Sequence, residues 1–196
     1  MTLVLASQSA SRRAMLAAAG VPFEATHAGV DEDAAKPALR HLAPRDLADA
    51  LAELKALKVS ARKPGHLVLG SDSLVALADG SILDKPVDRA DAADHLRRMA
   101  GARHDLWSAA VIAENGQIVW RHVERAKVFV RPLSDAFIET YLDAEWPAIA
   151  NCVGCYRVEG PGVQLFEKIE GSQFTVLGMP LLNVLDYLRV RGELPS

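Results

Sequence analysis

Thr2-Leu-Val-Leu-Ala-Ser-Gln-Ser-Ala-Ser-Arg-Arg-Ala-Met-Leu-Ala-Ala-Ala-Gly20 is the stretch that decides the fold class. Residues 2–6 form a short apolar run of strand type, Ser7-Gln8-Ser9 is a polar cluster with helix-capping character, and residues 11–19 are dominated by strong helix formers. Gly20 suits the position just past a helix end. Strand, loop and helix in that order predict an α/β domain.

Working outward, residues 23–27 predict a second short strand that leads into the acidic loop Asp31-Glu32-Asp33. Leu47, Leu51 and Leu54 recur at helical spacing and predict a helix over 44–59, with Lys55 and Lys58 near its end. Residues 66–70 read as a strand that ends at Ser71-Asp72-Ser73, and 74–77 as a further apolar stretch before the turn Asp79-Gly80. A helix is expected over 89–99, and Asn115-Gly116 between β-like runs at 107–113 and 118–130 is a strong hairpin signal. Ser134 caps a helix to about Glu145, residues 163–169 and 174–177 read as strands, and 181–190 as a final helix. The sheet should therefore be mixed.

Half of the 196 residues are hydrophobic and 24% are charged, enough apolar material for a core, so one domain over 1–196 is expected. A net charge of -3 and a pI near 6.1 oppose nucleic-acid binding, which needs a strongly basic surface. Any anionic substrate must be met by local Lys and Arg. No run of about 18 uncharged apolar residues and no basic leader are found, so a cytoplasmic protein with no membrane partner is expected. Cys152 and Cys155 are too few for a disulfide framework or a four-cysteine zinc site, and the six histidines show no metal-ligand spacing.

Four groups of residues can carry chemistry. Ser7, Ser9, Arg12 and Arg13 converge at a strand-to-helix junction, where hydroxyls, backbone N–H groups and guanidiniums suit phosphate oxygens. The same residues would serve a capped helix with two solvated arginines. Asp72 follows an apolar strand, the end at which open α/β sheets present ligands, or else caps its own turn. Lys85 sits on a loop stiffened by Pro86, and Asp31-Glu32-Asp33 could share a divalent cation with substrate phosphates or be a solvated loop. As a set, they fit metal-assisted phosphate chemistry. A Gly-x-x-x-x-Gly-Lys-Ser/Thr loop is absent from the sequence, which removes the P-loop reading.

Leu3-Val-Leu-Ala-Ser-Gln-Ser-Ala-Ser-Arg-Arg13, Val30-Asp-Glu32, Leu51-Ala-Glu-Leu-Lys-Ala56, Leu69-Gly-Ser-Asp-Ser73, Asp84-Lys-Pro86 and Met99-Ala-Gly-Ala-Arg-His104 resemble, in order, the motifs of the Maf family. Tyr156-Arg-Val-Glu-Gly160 and Leu177-Gly-Met-Pro180 resemble its C-terminal signatures. The resemblance implies a nucleoside triphosphate pyrophosphatase of the house-cleaning kind, with a mixed elongated sheet flanked by helices, two lobes around a cleft, a requirement for Mg²⁺ or Mn²⁺, and often a homodimer. It places the catalytic aspartate at Asp72, phosphate-binding residues at Ser7, Arg12 and Arg13, lysines at Lys55 and Lys85, and the acidic loop pair at Asp31 and Glu32, of which Glu32 is the expected partner because the family varies more at the first position. Asp72 and Glu32 would hold the metal, and Asp72 could instead be the general base.

Three positions associated with base choice depart from the common pattern: Ser11 replaces an Arg, Ser73 a Thr, and Glu159 a Gln. Members acting on dTTP and UTP carry Arg, Thr and Gln there, whereas Glu at the third position resembles the subgroup acting on 7-methyl-GTP. A carboxylate accepts hydrogen bonds from the N1–H and 2-amino edge of guanine, while uracil offers one N–H between carbonyls. The expectation is a modified purine. A dTTP/UTP pyrophosphatase, a nucleotide-binding regulator of cell division without turnover, and an interaction scaffold are the competing readings.

Overall fold

The computed structural model describes residues 3–39 and 41–195, without the Asp33 side chain; Thr2, expected in the first strand, lies outside the described residues. In chain order the elements are β1 (Leu3–Leu5), α1 (Ala10–Ala18), β2 (Phe23–Ala25), α2 (Glu32–Leu39), α3 (Pro44–Ser60), β3 (Leu67–Leu77), β4 (Ile82–Leu83), α4 (Arg89–Met99), β5 (Arg103–Glu114), β6 (Gln117–Val130) and α5 (Asp135–Glu145). A 3-10 turn (Pro161–Leu165), β7 (Phe166–Glu170), α6 (Gln173–Val176) and α7 (Leu181–Val190) complete it. The seven-stranded sheet has the order β2-β1-β3-β5-β6-β7, with β4 paired to β3. β1 runs parallel to β2 and β3, while β3–β4 and β6–β7 are antiparallel. The expected mixed α/β sheet flanked by helices is thus observed. Among the described residues no helix is long and apolar enough to cross a membrane.

Four expectations change. Residues 66–77 do not break at Ser71-Asp72-Ser73; β3 runs straight through, so Asp72 lies inside a strand and not past its end. The polar triplet looked like a turn, but its side chains find buried partners and the ladder continues. Residues 174–176 belong to the short helix α6, Leu177 lies in the turn that follows it, and 161–165 form a 3-10 turn ahead of β7. The acidic loop is in part a helix: Glu32 opens α2, with the Asp31 carboxylate accepting from Ala34 N at 3.0 Å in the manner of a cap.

The chain folds as two compact units. The first holds the chain up to Ser73, Trp107–Glu124 and Gln173 onward; the second holds Leu74–Leu106 and Arg125–Ser172. In the first, β3 side chains alternate between two faces. Leu67 and Leu69 join Leu3, Leu5, Leu16 and the α7 residues Val184 and Leu188 in one cluster, while Val68 packs with Val4, Ala6 and the α3 residue Val59 in another. α1 starts on the Ser9 cap, whose hydroxyl accepts from Arg12 N.

α3 is rotated relative to the sequence expectation. Leu54 is 39% exposed, and the buried stripe runs instead through Ala48, Leu51, Ala52, Lys55, Ala56 and Val59. This rotation is set by Gly70. A Cβ there would lie 2.3 Å from the Ala52 carbonyl oxygen and 2.6 Å from Ala56 N, so the helix backbone rests directly on the strand.

In the second unit, Asp88 caps α4 and Ser134 caps α5, and Arg89 of α4 ties to Glu139 and Asp143 of α5 at 2.7 and 2.6 Å. His104 is buried, with Nε2 2.9 Å from the Tyr156 hydroxyl and Nδ1 without a hydrogen-bond partner among the described residues. Burial holds its pKa down at about 4, against a weaker pull upward from Asp105.

Two outcomes are expected. Gly70→Ala should cost about 3 kcal/mol, because the added carbon meets rigid helix backbone rather than a side chain that can turn away. A urea midpoint equal to wild type would refute the close contact. For His104, the unfolded chain takes up a proton below its ordinary pKa of 6.5 and the folded chain only near 4. Stability is therefore full above the first value and falls by about 3 kcal/mol as pH drops through the window. His104→Gln should flatten that part of the stability–pH profile, measured by denaturant unfolding at several pH values.

Candidate functional site

The close approach at Gly70 brings α3 within side-chain reach of the next residue on the same face of β3, Asp72. Lys55, in the core-facing stripe of α3, donates from Nζ to Asp72 Oδ1 at 2.5 Å and lies 2.9 Å from Glu32 Oε1. Lys55 and Asp72 are 7% and 6% exposed. Such a buried ion pair persists only with close geometry, and removal of either partner would leave an uncompensated charge.

Glu32 reaches the pair because the loop before α2 is strapped to α3. Lys58 Nζ donates to the Gly29 carbonyl, and Arg62 Nη2 donates to the Ala28 carbonyl at 2.9 Å. Lys58 and Arg62 therefore spend their charge on backbone oxygens that fix the entry to α2.

The opposite face of β3 carries Ser71 and Ser73, and there Arg12 is anchored. Arg12 is 9% exposed. Its Nε donates to the Gly178 carbonyl at 2.8 Å, Nη1 to Ser7 Oγ at 3.3 Å, and Nη2 to Ser73 Oγ at 3.0 Å. These bonds use three of the five guanidinium N–H groups, leaving two for a ligand. Burial pushes the Arg12 pKa below its ordinary value, and the charges of Asp72 and then Glu32 pull it back up. The guanidinium stays charged, within electrostatic reach of both carboxylates although it is anchored on the other face of β3.

Asp72, Glu32, Lys55, Arg12, Ser7 and Ser73 are thus brought together in the first unit. Ser11 is half-buried and Arg13 exposed on α1 in the same unit. Lys85 and Glu159 belong to the second unit, where both are exposed. They share a neighbourhood around Cys152: burial raises that thiol's pKa, Glu159 raises it further, and Arg157 and Lys85 lower it. Sequence reasoning passed over Gly70, Ser71, Ser108 and the Gly178 carbonyl. The available signal was serine standing where a buried strand should alternate with apolar residues.

The donor set suits a hard divalent cation. Asp72 and Glu32 share the Lys55 ammonium, which puts two carboxylates in one neighbourhood, and magnesium is typically bound by one or two carboxylates together with substrate phosphates. Among the described residues no group of three or more His, Cys, Asp or Glu is poised to hold a metal by itself. The charges near Asp72 already balance, two carboxylates against Lys55 and Arg12. A polyanionic ligand would need further positive charge.

Residues 2–191 match the family model of the Maf-like proteins. A protein from Sphingopyxis alaskensis named nucleoside triphosphate pyrophosphatase is 54% identical over 100% of both chains. Nucleoside triphosphate pyrophosphatase 1 of Jannaschia sp. is 52% identical over 97% of this chain and 96% of its own, and the Caulobacter vibrioides nucleoside triphosphate pyrophosphatase 50% identical over 98% and 96%. With the family model matching residues 2–191 and relatives more than half identical over nearly their whole length, the chain belongs to the Maf family.

Proposed function

We propose that the Asp72 site hydrolyses a nucleoside triphosphate between its α and β phosphates, giving the monophosphate and pyrophosphate, and that a modified purine such as 7-methyl-GTP is taken in preference to dTTP or UTP. The observation that carries the reading is the Lys55 ammonium shared between Asp72 and Glu32, with Arg12 held beside them. The hydrolase class agrees with the name borne by the relatives. The match over residues 2–191 supports reading the chain as one pyrophosphatase domain.

In this reading Asp72 accepts the proton of the attacking water, and Lys55 fixes the carboxylate in the strand so that no reorientation precedes the transfer. Arg12 and Arg13 bind phosphate oxygens through charge-assisted bonds, and stabilise the charge that builds on the bridging oxygen as pyrophosphate leaves. Ser7 fixes Arg12 as well as presenting its own hydroxyl. The family resemblance adds Lys85 for the leaving pyrophosphate. With Asp72 as the base, Mg²⁺ or Mn²⁺ held by Glu32 and the substrate phosphates would supply the extra positive charge that a triphosphate demands; with Asp72 as a metal ligand beside Glu32, the ion would instead supply the acidity that the attacking water needs.

The preference for base rests on Glu159, with Ser11 and Ser73 as the other departures. A carboxylate pairs with the donor edge of guanine and complements the positive charge of a methylated ring. The Ser73 hydroxyl is already engaged by Arg12 and Ser108, which supports a part in anchoring the arginine more than in reading a base.

The deciding experiment is a pyrophosphate-release screen over ordinary and modified nucleoside triphosphates with Mg²⁺ and with Mn²⁺. Fastest release from 7-methyl-GTP is expected; much faster release from dTTP or UTP would overturn the base assignment, and tight binding without release would favour the regulator. Asp72→Asn, nearly isosteric, should lower kcat by about 10²-fold or more with an unchanged far-UV spectrum. Wild-type turnover in that variant would remove Asp72 from the chemistry. Glu159→Gln should shift relative kcat/KM toward pyrimidines, and an unmoved ratio would disconnect Glu159 from the base.

A further inference from the structure

We propose that Ser108 is a positioning residue for Arg12, acting through the Ser73 hydroxyl; the inference rests on the phosphate-binding role proposed for Arg12. The starting observation is a substitution of polarity inside the core. On one face of β3 the apolar row Leu67 and Leu69 continues as Ser71 and Ser73, and on neighbouring β5 the row Ile112 and Ala110 continues as Ser108. Ser71 and Ser108 are fully buried, at 0% exposure. A small apolar residue would fill either place, and a buried hydroxyl is costly unless hydrogen-bonded.

The proton count shows what these hydroxyls do. Each serine has one proton to donate, and a carbonyl oxygen has two lone pairs. Three donors face the Gly178 carbonyl: Arg12 Nε at 2.8 Å, Ser71 Oγ at 3.1 Å and Ser73 Oγ at 3.1 Å. That is one donor too many. Ser108 lies 2.9 Å from Ser73 Oγ and gives its own proton to the Thr175 carbonyl at 2.8 Å. Its oxygen is therefore an acceptor for Ser73. With the Ser73 proton on Ser108, Gly178 serves Arg12 and Ser71 alone, and the Ser73 lone pair is presented to Arg12 Nη2 at 3.0 Å. The Thr175 side chain is itself tied to Glu124, which fixes the segment that receives the Ser108 proton.

Without the Ser108 oxygen, the Ser73 proton has only the crowded carbonyl to turn to. It then competes with Arg12 Nε and rotates its lone pair away from Nη2, so two of the three anchors of the guanidinium weaken together and only Ser7 is left undisturbed. A Ser108→Ala change removes one atom from a buried site and leaves packing almost untouched. Its effect should appear at Arg12 and not in stability.

The test is a double-mutant cycle on pyrophosphate release by the full chain, using Ser108→Ala, Arg12→Ala and the double variant. Ser108→Ala should lower kcat/KM by about tenfold, the scale of weakening one hydrogen bond to a charged group, with the thermal midpoint close to wild type. In the Arg12→Ala background the same change should have no further effect, since no arginine is left to position. Unchanged activity in Ser108→Ala, or losses that simply multiply in the double variant, would overturn the inference while Arg12 kept its role. An Arg12→Ala enzyme with wild-type kcat and KM would overturn the phosphate role of Arg12, and this inference with it.

Discussion

The closeness of a helix backbone to a strand backbone at Gly70 is the constraint on which the rest depends. Any side chain at that position would drive Ala52 and Ala56 away from β3. The lysine one residue before Ala56 would then no longer reach Asp72. Glycine weakens a strand by its entropy and its missing side chain. Here the compensation is geometric: it sets the helix–strand distance that turns two ordinary charged residues into a 2.5 Å pair.

The two faces of β3 divide the work by the alternation of a pleated strand. Asp72 meets cationic and acidic partners from α3 and α2, whereas Ser71 and Ser73 meet Arg12 and the Gly178 carbonyl. Because the strand is rigid, charge on one face and hydrogen bonding on the other are held in fixed register. The site therefore contains its own counter-charges before any ligand arrives. Charged groups fixed in this way need no rearrangement before they act, the condition for electrostatic stabilisation without reorganisation.

Much of this was legible in the sequence. The opening strand–loop–helix, the Asn115-Gly116 hairpin and the capped helices follow from local chemistry, and all are observed. Asp72, Lys55 and Glu32 were legible as a set through the family motifs. What was hidden depended on tertiary partners. Ser71-Asp72-Ser73 resembles a turn because nothing local reveals that Gly178, more than a hundred residues on, supplies acceptors for a polar strand interior. Likewise, Leu47, Leu51 and Leu54 fit a helical stripe, but the stripe that is buried passes through Lys55, which no hydrophobicity pattern would choose. Residues 174–177 look like a strand from composition, yet 174–176 close as a helical turn whose Thr175 carbonyl takes the Ser108 proton.

The bond from Arg12 to the Gly178 carbonyl joins residues 166 positions apart. Ser7 and Ser73 can hold Nη1 and Nη2 of Arg12 from nearer in the sequence, but its Nε finds its acceptor only when the Gly178 segment has packed. Local contacts form early and non-local ones late, since long loops must close before they are rewarded. The direction of the Arg12 guanidinium is therefore fixed in part by closing one of the longest loops in the chain, and its geometry reports on the packing of a segment remote in sequence.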